Sequence, residues 1–80
     1  MIEESIRRFI VDELSFDGPA SSLPDDYPLL DRQVLDSLGL FHLVGFLEGE
    51  YGVEIQDEEL VPEHFGCIRD IARLVEAKRS

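Results

Sequence analysis

Three stretches of the chain repeat apolar residues at intervals of three and four, and each predicts a helix with one buried stripe. Ile2, Ile6, Phe9, Ile10 and Leu14 mark the first, from Ile2 to about Leu14. Glu3 and Glu4 stand early in it, where negative charge favours the positive end of the helix dipole. Leu40, Leu43, Val44, Leu47 and Tyr51 mark the second, from about Leu38 to Tyr51, with Gly52 placed to stop it. Ile68, Ile71, Ala72 and Val75 mark the third, from about Cys67 to Lys78, with Leu74 near its boundary. Arg73, Lys78 and Arg79 lie late in that helix and complement the negative end of its dipole.

Between these stretches the pattern breaks. Ser15-Phe16-Asp17-Gly18-Pro19 ends the first helix. About twenty residues then lead to Ser37, a length expected in a compact domain only when the loop is functional or internally packed. Leu23, Tyr27, Leu29, Leu30, Val34 and Leu35 supply apolar side chains to pack it, and Asp31 to Leu35 are placed to form a single helical turn. Val53-Glu54-Ile55 reads as a short extended link. Asp57 suits the cap of a turn through Glu58-Glu59-Leu60, and Pro62 the first position of a short helix ending near Phe65. The sum predicts an all-α bundle of three main helices and one short one, with a long loop between helices 1 and 2 and no internal repeat.

Composition narrows the functional classes. Eighty residues make one domain, 1–80, with too little material for an enclosed active-site cleft. A net charge of −11 repels a phosphate backbone and argues against nucleic acid as a partner. No Lys or Arg occurs between Arg32 and Arg69, an interval that holds Asp36, Glu48, Glu50, Glu54, Asp57, Glu58, Glu59 and Glu63. Such a run is a solvated face first, and it also attracts basic protein surfaces. The lone Cys67, the acidic start Met1-Ile2-Glu3-Glu4 and the lack of a membrane-length apolar run predict a cytoplasmic chain.

The residue with unassigned chemistry is Ser37, at or beside the start of the second helix. Its hydroxyl suits an N-cap, where a backbone N–H lacks a partner. No base accompanies it for nucleophilic catalysis: His42 is turned away by helical geometry and His64 is distant in sequence. His42, His64 and Cys67 make a weak zinc set, Cys67 reading better as a small buried residue that starts the last helix, and Asp57-Glu58-Glu59 lacks calcium-loop spacing, so no metal site is expected. A serine at a helix N-terminus is open to a modifying enzyme, and an attached phosphate would face free N–H groups and the positive dipole end. Asp36 opposes such an anion, which suggests that it serves something else, such as a divalent metal held by the modifying enzyme. Leu38 and Phe41, on the less buried side of the helix, have two open readings: partner docking, or cover for the long loop. Tyr51, Phe65 and Ile71 read as core.

At Asp36-Ser37-Leu38, followed by the helix through Leu40-Phe41-His42-Leu43-Val44-Gly45-Phe46-Leu47 to Gly52, the sequence resembles the acyl carrier and peptidyl carrier family. The likeness continues through Val53 to Leu60 and Pro62 to Ile71 and spans nearly the whole chain. It implies a four-helix carrier, not itself an enzyme, with 4′-phosphopantetheine esterified to Ser37. The thiol of that arm would hold an acyl or aminoacyl group as a thioester. The implied partners are a phosphopantetheinyl transferase, an acyl- or aminoacyl-loading enzyme and a downstream synthase, transferase or modifying enzyme. Partner recognition would fall to Asp36, Leu38, Phe41, His42, Gly45 and Glu48, on a monomer.

Departures from the fatty-acid type point elsewhere within the family. Gly39, His42 and the interrupted Glu48-Gly49-Glu50 stand where that type usually carries polar or acidic residues. The Pro62-Glu63-His64-Phe65 turn, followed by a small residue and Ile68, is similar to aminoacyl carriers, D-alanyl carriers among them. It is also similar to free-standing carriers of specialised polyketide or nonribosomal pathways, although Cys67 replaces the usual Ser or Thr. A specialised-pathway carrier is therefore expected, with a D-alanyl or fatty-acid carrier as the alternative. An unmodified helical interaction module, in which Ser37 is only a cap, is the reading from a different class.

Overall fold

The computed structural model describes residues 2–14, 16 and 18–79. Four helices occur among them: α1 (Ile2–Glu13), α2 (Ser37–Tyr51), α3 (Pro62–Phe65) and α4 (Ile68–Arg79), with 3-10 turns at Ala20–Ser22 and Asp57–Glu59. This is the expected all-α bundle, and its helix ends fall within one residue of the periodicity. Of the expected stop after α1, Ser15 and Asp17 lie outside the described residues; Gly18 makes a bend at φ 120°.

The stripes of α1 and α4 pack on each other because both are strictly one-sided. Ile2, Ile6 and Ile10 meet a core built from Ile68, Ile71, Ala72, Leu74 and Val75, all buried. Leu74, expected at the boundary, is inside. From α2 only Leu43, Leu47 and Gly39 are buried; Leu40, Val44, Phe46 and Tyr51 are half-covered. Phe46 stacks on Phe9 of α1 with ring centroids 4.5 Å apart, so the second helix is held by more of its circumference than one stripe. Gly52 ends α2 in the left-handed region (φ 66°), its N–H donating to the Glu48 carbonyl at 3.0 Å.

The long connection is packed, as its apolar residues predict. Leu23, Leu29 and Leu35 are each at most 2 % exposed, and burying a leucine side chain is worth roughly 1.5–3 kcal/mol. Arg7 pins the loop to α1: its Nε donates to the Leu23 carbonyl at 2.8 Å, and its guanidinium pairs with Asp25 and Glu4. The Leu29 N–H donates to the Gly66 carbonyl at 2.9 Å, and the Arg69 N–H to the Asp25 carbonyl at 3.0 Å. The Cα radius of gyration, 11.3 Å, is near the roughly 12 Å of a compact chain of this length, so the loop lies on the helices.

Three local expectations need correction. The helical turn placed at Asp31 to Leu35 forms earlier and is closed at Gln33. The Gln33 N–H donates to the Leu30 carbonyl and the Val34 N–H to the Leu29 carbonyl, at 3.1 and 2.9 Å, with Gln33 left-handed at φ 58°. That is the Schellman arrangement, with a glutamine where glycine is usual. Asp57 does not precede its turn but opens it; Gln56 precedes, and its N–H donates to Glu59 Oε1 at 2.8 Å. Cys67, expected as a buried first residue of the last helix, is half-buried just before α4, and its thiol donates to Asp70 Oδ2 at 3.4 Å.

The turn at Asp57–Glu59 is tied to the end of α4 by Lys78, whose Nζ lies 2.7 Å from Glu59 Oε1. That pairing, with the Gln56 N–H, holds the Glu59 carboxyl below its ordinary value of 4.5. No helix among the described residues is long and apolar enough to cross a membrane.

Candidate functional site

The start of α2 is set by Asp36. Its backbone is extended (φ −91°, ψ −175°), Oδ1 accepts the Gly39 N–H at 2.7 Å, and its carbonyl accepts the Leu40 N–H at 2.7 Å. Asp36 is therefore the N-cap, and Ser37, expected at or beside the cap, is the first helical residue. This gives Asp36 a structural role: it satisfies the helix end and sets a negative charge against the dipole's positive end. The Ser37 hydroxyl, relieved of capping, is exposed at the mouth of a helix of 15 residues.

Gly39 explains how the chain turns inward directly after the serine. A Cβ there would meet Asp36 Oδ1 at 3.2 Å and Leu14 Cδ2 at 3.5 Å, so a side chain would push the cap away from α1. Gly39 was seen in the sequence only as a departure from an acidic pattern. Its cost inside a helix, up to about 1 kcal/mol against alanine, was the available signal of a packing role.

Leu38 and Phe41 remain 66 % and 64 % exposed, so they do not cover the loop. His42 and Gly45 are exposed on the same helix, and nothing lies within 4 Å of a Cβ placed at Gly45 or Gly49. Glu48 differs from the other expected recognition residues: its Oε2 accepts the Ile55 N–H at 3.0 Å and holds the link after α2. The structure thus gathers Ser37, Leu38, Phe41, His42 and Gly45 on open surface, while Asp36 and Glu48 carry internal bonds.

Two recesses lie at the start of α2, the smaller lined by Ser37 itself and the larger by its neighbours Asp36 and Leu38. The larger, about 600 Å³, opens between α1, the loop and α2, with Tyr27, Arg32, Gln33, Asp36, Leu38 and His42 in its wall. The smaller, about 420 Å³, is bounded by Leu30, Gln33, Leu35, Asp36, Ser37 and Leu40. Arg32 and Gln33 are functional candidates that the sequence reading missed; the isolation of Arg32 in an acidic chain was the one signal pointing to it. No group of three His, Cys, Asp or Glu suited to a metal occurs among the described residues.

An attached phosphate ester fits this place. The serine hydroxyl is accessible, the first-turn N–H groups not taken by Asp36 have no intrahelical partner, and their dipole favours an anion. Both recesses lie within reach of a flexible chain fixed at Ser37.

No protein-family model matches the chain. An acyl carrier protein of Solidesulfovibrio magneticus is 32 % identical over 78 residues, covering 98 % of this chain and 95 % of its own. The probable acyl carrier protein PigG of a Serratia species is 30 % identical over 76 residues, covering 95 % of this chain and 86 % of its own. Among solved structures, KstB-PCP in its apo form superposes with a TM-score of 0.76 at 37 % identity, over 91 % of this chain and 80 % of that one. A chain in the crystal structure of an FAD-dependent dehydrogenase superposes with a TM-score of 0.79 at 36 % identity, over 88 % of this chain and 97 % of that one.

Proposed function

Because this chain belongs to the acyl carrier protein family, we propose that Ser37 is the residue to which 4′-phosphopantetheine is attached. The chain is an acyl or peptidyl carrier; the finer reading is a carrier of a specialised polyketide or nonribosomal pathway, not itself an enzyme. The observation that carries the assignment of Ser37 is its release from capping: Asp36 holds the helix end, so the adjacent hydroxyl is exposed and has no structural task.

The arm, when bound, supplies a thiol on a flexible tether, on which an acyl or aminoacyl group is held as a thioester. The residues of the chain do the rest. Asp36 keeps the helix start rigid, so the serine is presented in one geometry. The first-turn N–H groups and the dipole offset the phosphate charge. Leu38 and Phe41 offer exposed apolar area beside the attachment point, and partner enzymes gain affinity by covering it. Gly45 keeps the neighbouring surface free of bulk.

Two similarities support the specialised pathway over fatty-acid synthesis: the likeness to PigG and the likeness to KstB-PCP. The match to a chain in the structure of an FAD-dependent dehydrogenase, spanning 97 % of that chain, supports a flavin-dependent oxidoreductase among the enzymes that act on the carried group. The transferase, a loading enzyme and such a modifying enzyme complete the proposed partners.

Loading tests this reading. Holo protein is incubated with ATP, single amino acids and an adenylating enzyme, or with acyl-coenzyme A and an acyltransferase, and its intact mass is followed. Addition of an aminoacyl or short acyl group, removed by hydroxylamine, is expected. Acceptance of long fatty acyl groups alone would overturn the specialised-pathway reading.

A further inference from the structure

We propose that the larger recess beside Ser37 seats the pantetheine arm of the holo chain, with Arg32 as the counter-charge to its phosphodiester. This rests on the reading of Ser37 as the attachment point.

Charge gives the first argument. Between Arg8 and Arg69 the chain has one Lys or Arg, and it is Arg32. A phosphodiester on Ser37 adds negative charge next to Asp36, in a chain whose net charge is already −11. Arg32 sits in the wall of the recess that Asp36 and Leu38, the two neighbours of Ser37, also line. A guanidinium is the side chain best suited to pair with phosphate oxygens.

Unused bonding capacity gives the second. Arg7 and Lys78 form ion pairs, and Arg79 lies 5.4 Å from the Tyr51 ring. The side chains of Arg8, Arg32, Arg69 and Arg73 are unpartnered among the described residues, and of these Arg32 alone lines the recess. The side chains of Arg32, Gln33 and His42 have no intramolecular partner among the described residues, and all three line this recess. Gln33 is held left-handed by the turn that closes on it, a conformation that costs a non-glycine residue about 1 kcal/mol. Strain of that kind gathers at ligand clamps, and here it fixes the residue that stands between the two recesses.

Polarity decides between the recesses. A pantetheine arm carries two amides and a hydroxyl, which lose hydrogen bonds against an apolar wall. The smaller recess sets Leu30, Leu35 and Leu40 beside Gln33, Asp36 and Ser37. The larger shares Gln33 and Asp36, is apolar along Leu14, Phe16, Val34 and Leu38, and adds the polar side chains of Arg32, His42, Tyr27 and Glu13. Its volume of about 600 Å³ falls within the roughly 300–1,000 Å³ of small-molecule sites.

The experiment compares ¹⁵N–¹H spectra of the apo chain and of holo chain made with coenzyme A and a phosphopantetheinyl transferase, for the parent, Arg32→Met and Arg32→Lys. Adding the arm is expected to shift amides of Phe16, Tyr27, Arg32, Gln33, Gly39 and His42 in the parent. Arg32→Met should take up the arm and keep its urea midpoint, because Arg32 is exposed and unpartnered, but at least half of the shift remote from Ser37 should vanish. Arg32→Lys should retain most of it. Shifts confined to residues 36–38, shifts at Leu30, Leu35 and Leu40 instead, or a pattern unchanged in Arg32→Met would overturn the inference and leave the assignment of Ser37 standing. Failure of the parent to gain the mass of the arm would overturn both.

Discussion

The connection between α1 and α2 and the outward face of α2 reverse the usual association of regular structure with burial. The connection is irregular, yet it buries Leu23, Leu29 and Leu35 and is tied to both neighbouring layers by Arg7, Leu29 and Asp25. The outward face of α2 lies on a regular helix, yet Leu38 and Phe41 stand about two-thirds exposed, with Gly45 and Gly49 beyond them. A loop that packs this well acts as a scaffold. A helix face left this bare, next to an exposed serine, is the surface that the proposed carrier role leaves open to partner enzymes. Ser37 stands at the border: Asp36, the last residue of the scaffold, fixes where the working face begins.

Substitutions can break this comparison. The largest effect on stability is expected from Leu29→Ala, in the loop: a fully buried leucine whose N–H also ties the loop to Gly66. It should cost about 2–5 kcal/mol by urea unfolding, and a cost below about 1 kcal/mol would mean that the loop is not a scaffold. Asp36→Ala removes the helix cap and should cost about 1 kcal/mol, within a range of about 0.5–2. Ser37→Ala, one residue on, should stay within about 0.5 kcal/mol of the parent. Equal costs at the two positions would return the capping role to the serine.

Acid sharpens the picture at the far end of the chain. Lys78 and the Gln56 N–H lower the folded pKa of Glu59. Its ionised form therefore stabilises the fold fully above the ordinary value of 4.5, and this contribution is lost as pH falls through the lowered folded value. Glu59→Gln should thus unfold at lower urea than the parent at pH 7, and the two midpoints should converge in acid. A constant gap across that range would show that the pairing is not felt. The smallest stability effect, within about 0.5 kcal/mol, belongs to Phe41→Ala on the open face. The same variant should lower kcat/KM of a partner enzyme on holo chain at least tenfold, the signature of a residue that a partner covers. Unchanged turnover with an unchanged fold would remove Phe41 from that surface.

What was legible in the sequence follows from these same differences. α1 and α4 bury one stripe each, so their periodicity gave their extents directly. α2 is apolar on several sides, and its stripe alone hid the Phe46–Phe9 stack and the burial of Gly39. Pattern placed the serine at the helix start and did not offer Asp36 as its cap; φ, ψ and the Gly39 bond show that Asp36 holds it. Gln33 gave no signal, because a glutamine in a glycine-type conformation is selected by the hydrogen bonds around it and not by its own preference. Exposure at Leu38 and Phe41 depended on which helices lie above them, which is tertiary information.

One measurement bears on the central claim most directly. Parent and Ser37→Ala chains are mixed with coenzyme A, magnesium and a broad-specificity phosphopantetheinyl transferase, and intact masses are read after the urea midpoints of both have been matched. The account predicts that the parent gains one phosphopantetheine, carried on the proteolytic fragment containing Ser37, and that the variant gains none. A folded parent that gains nothing with several transferases, or a variant that gains the arm as well, would contradict it.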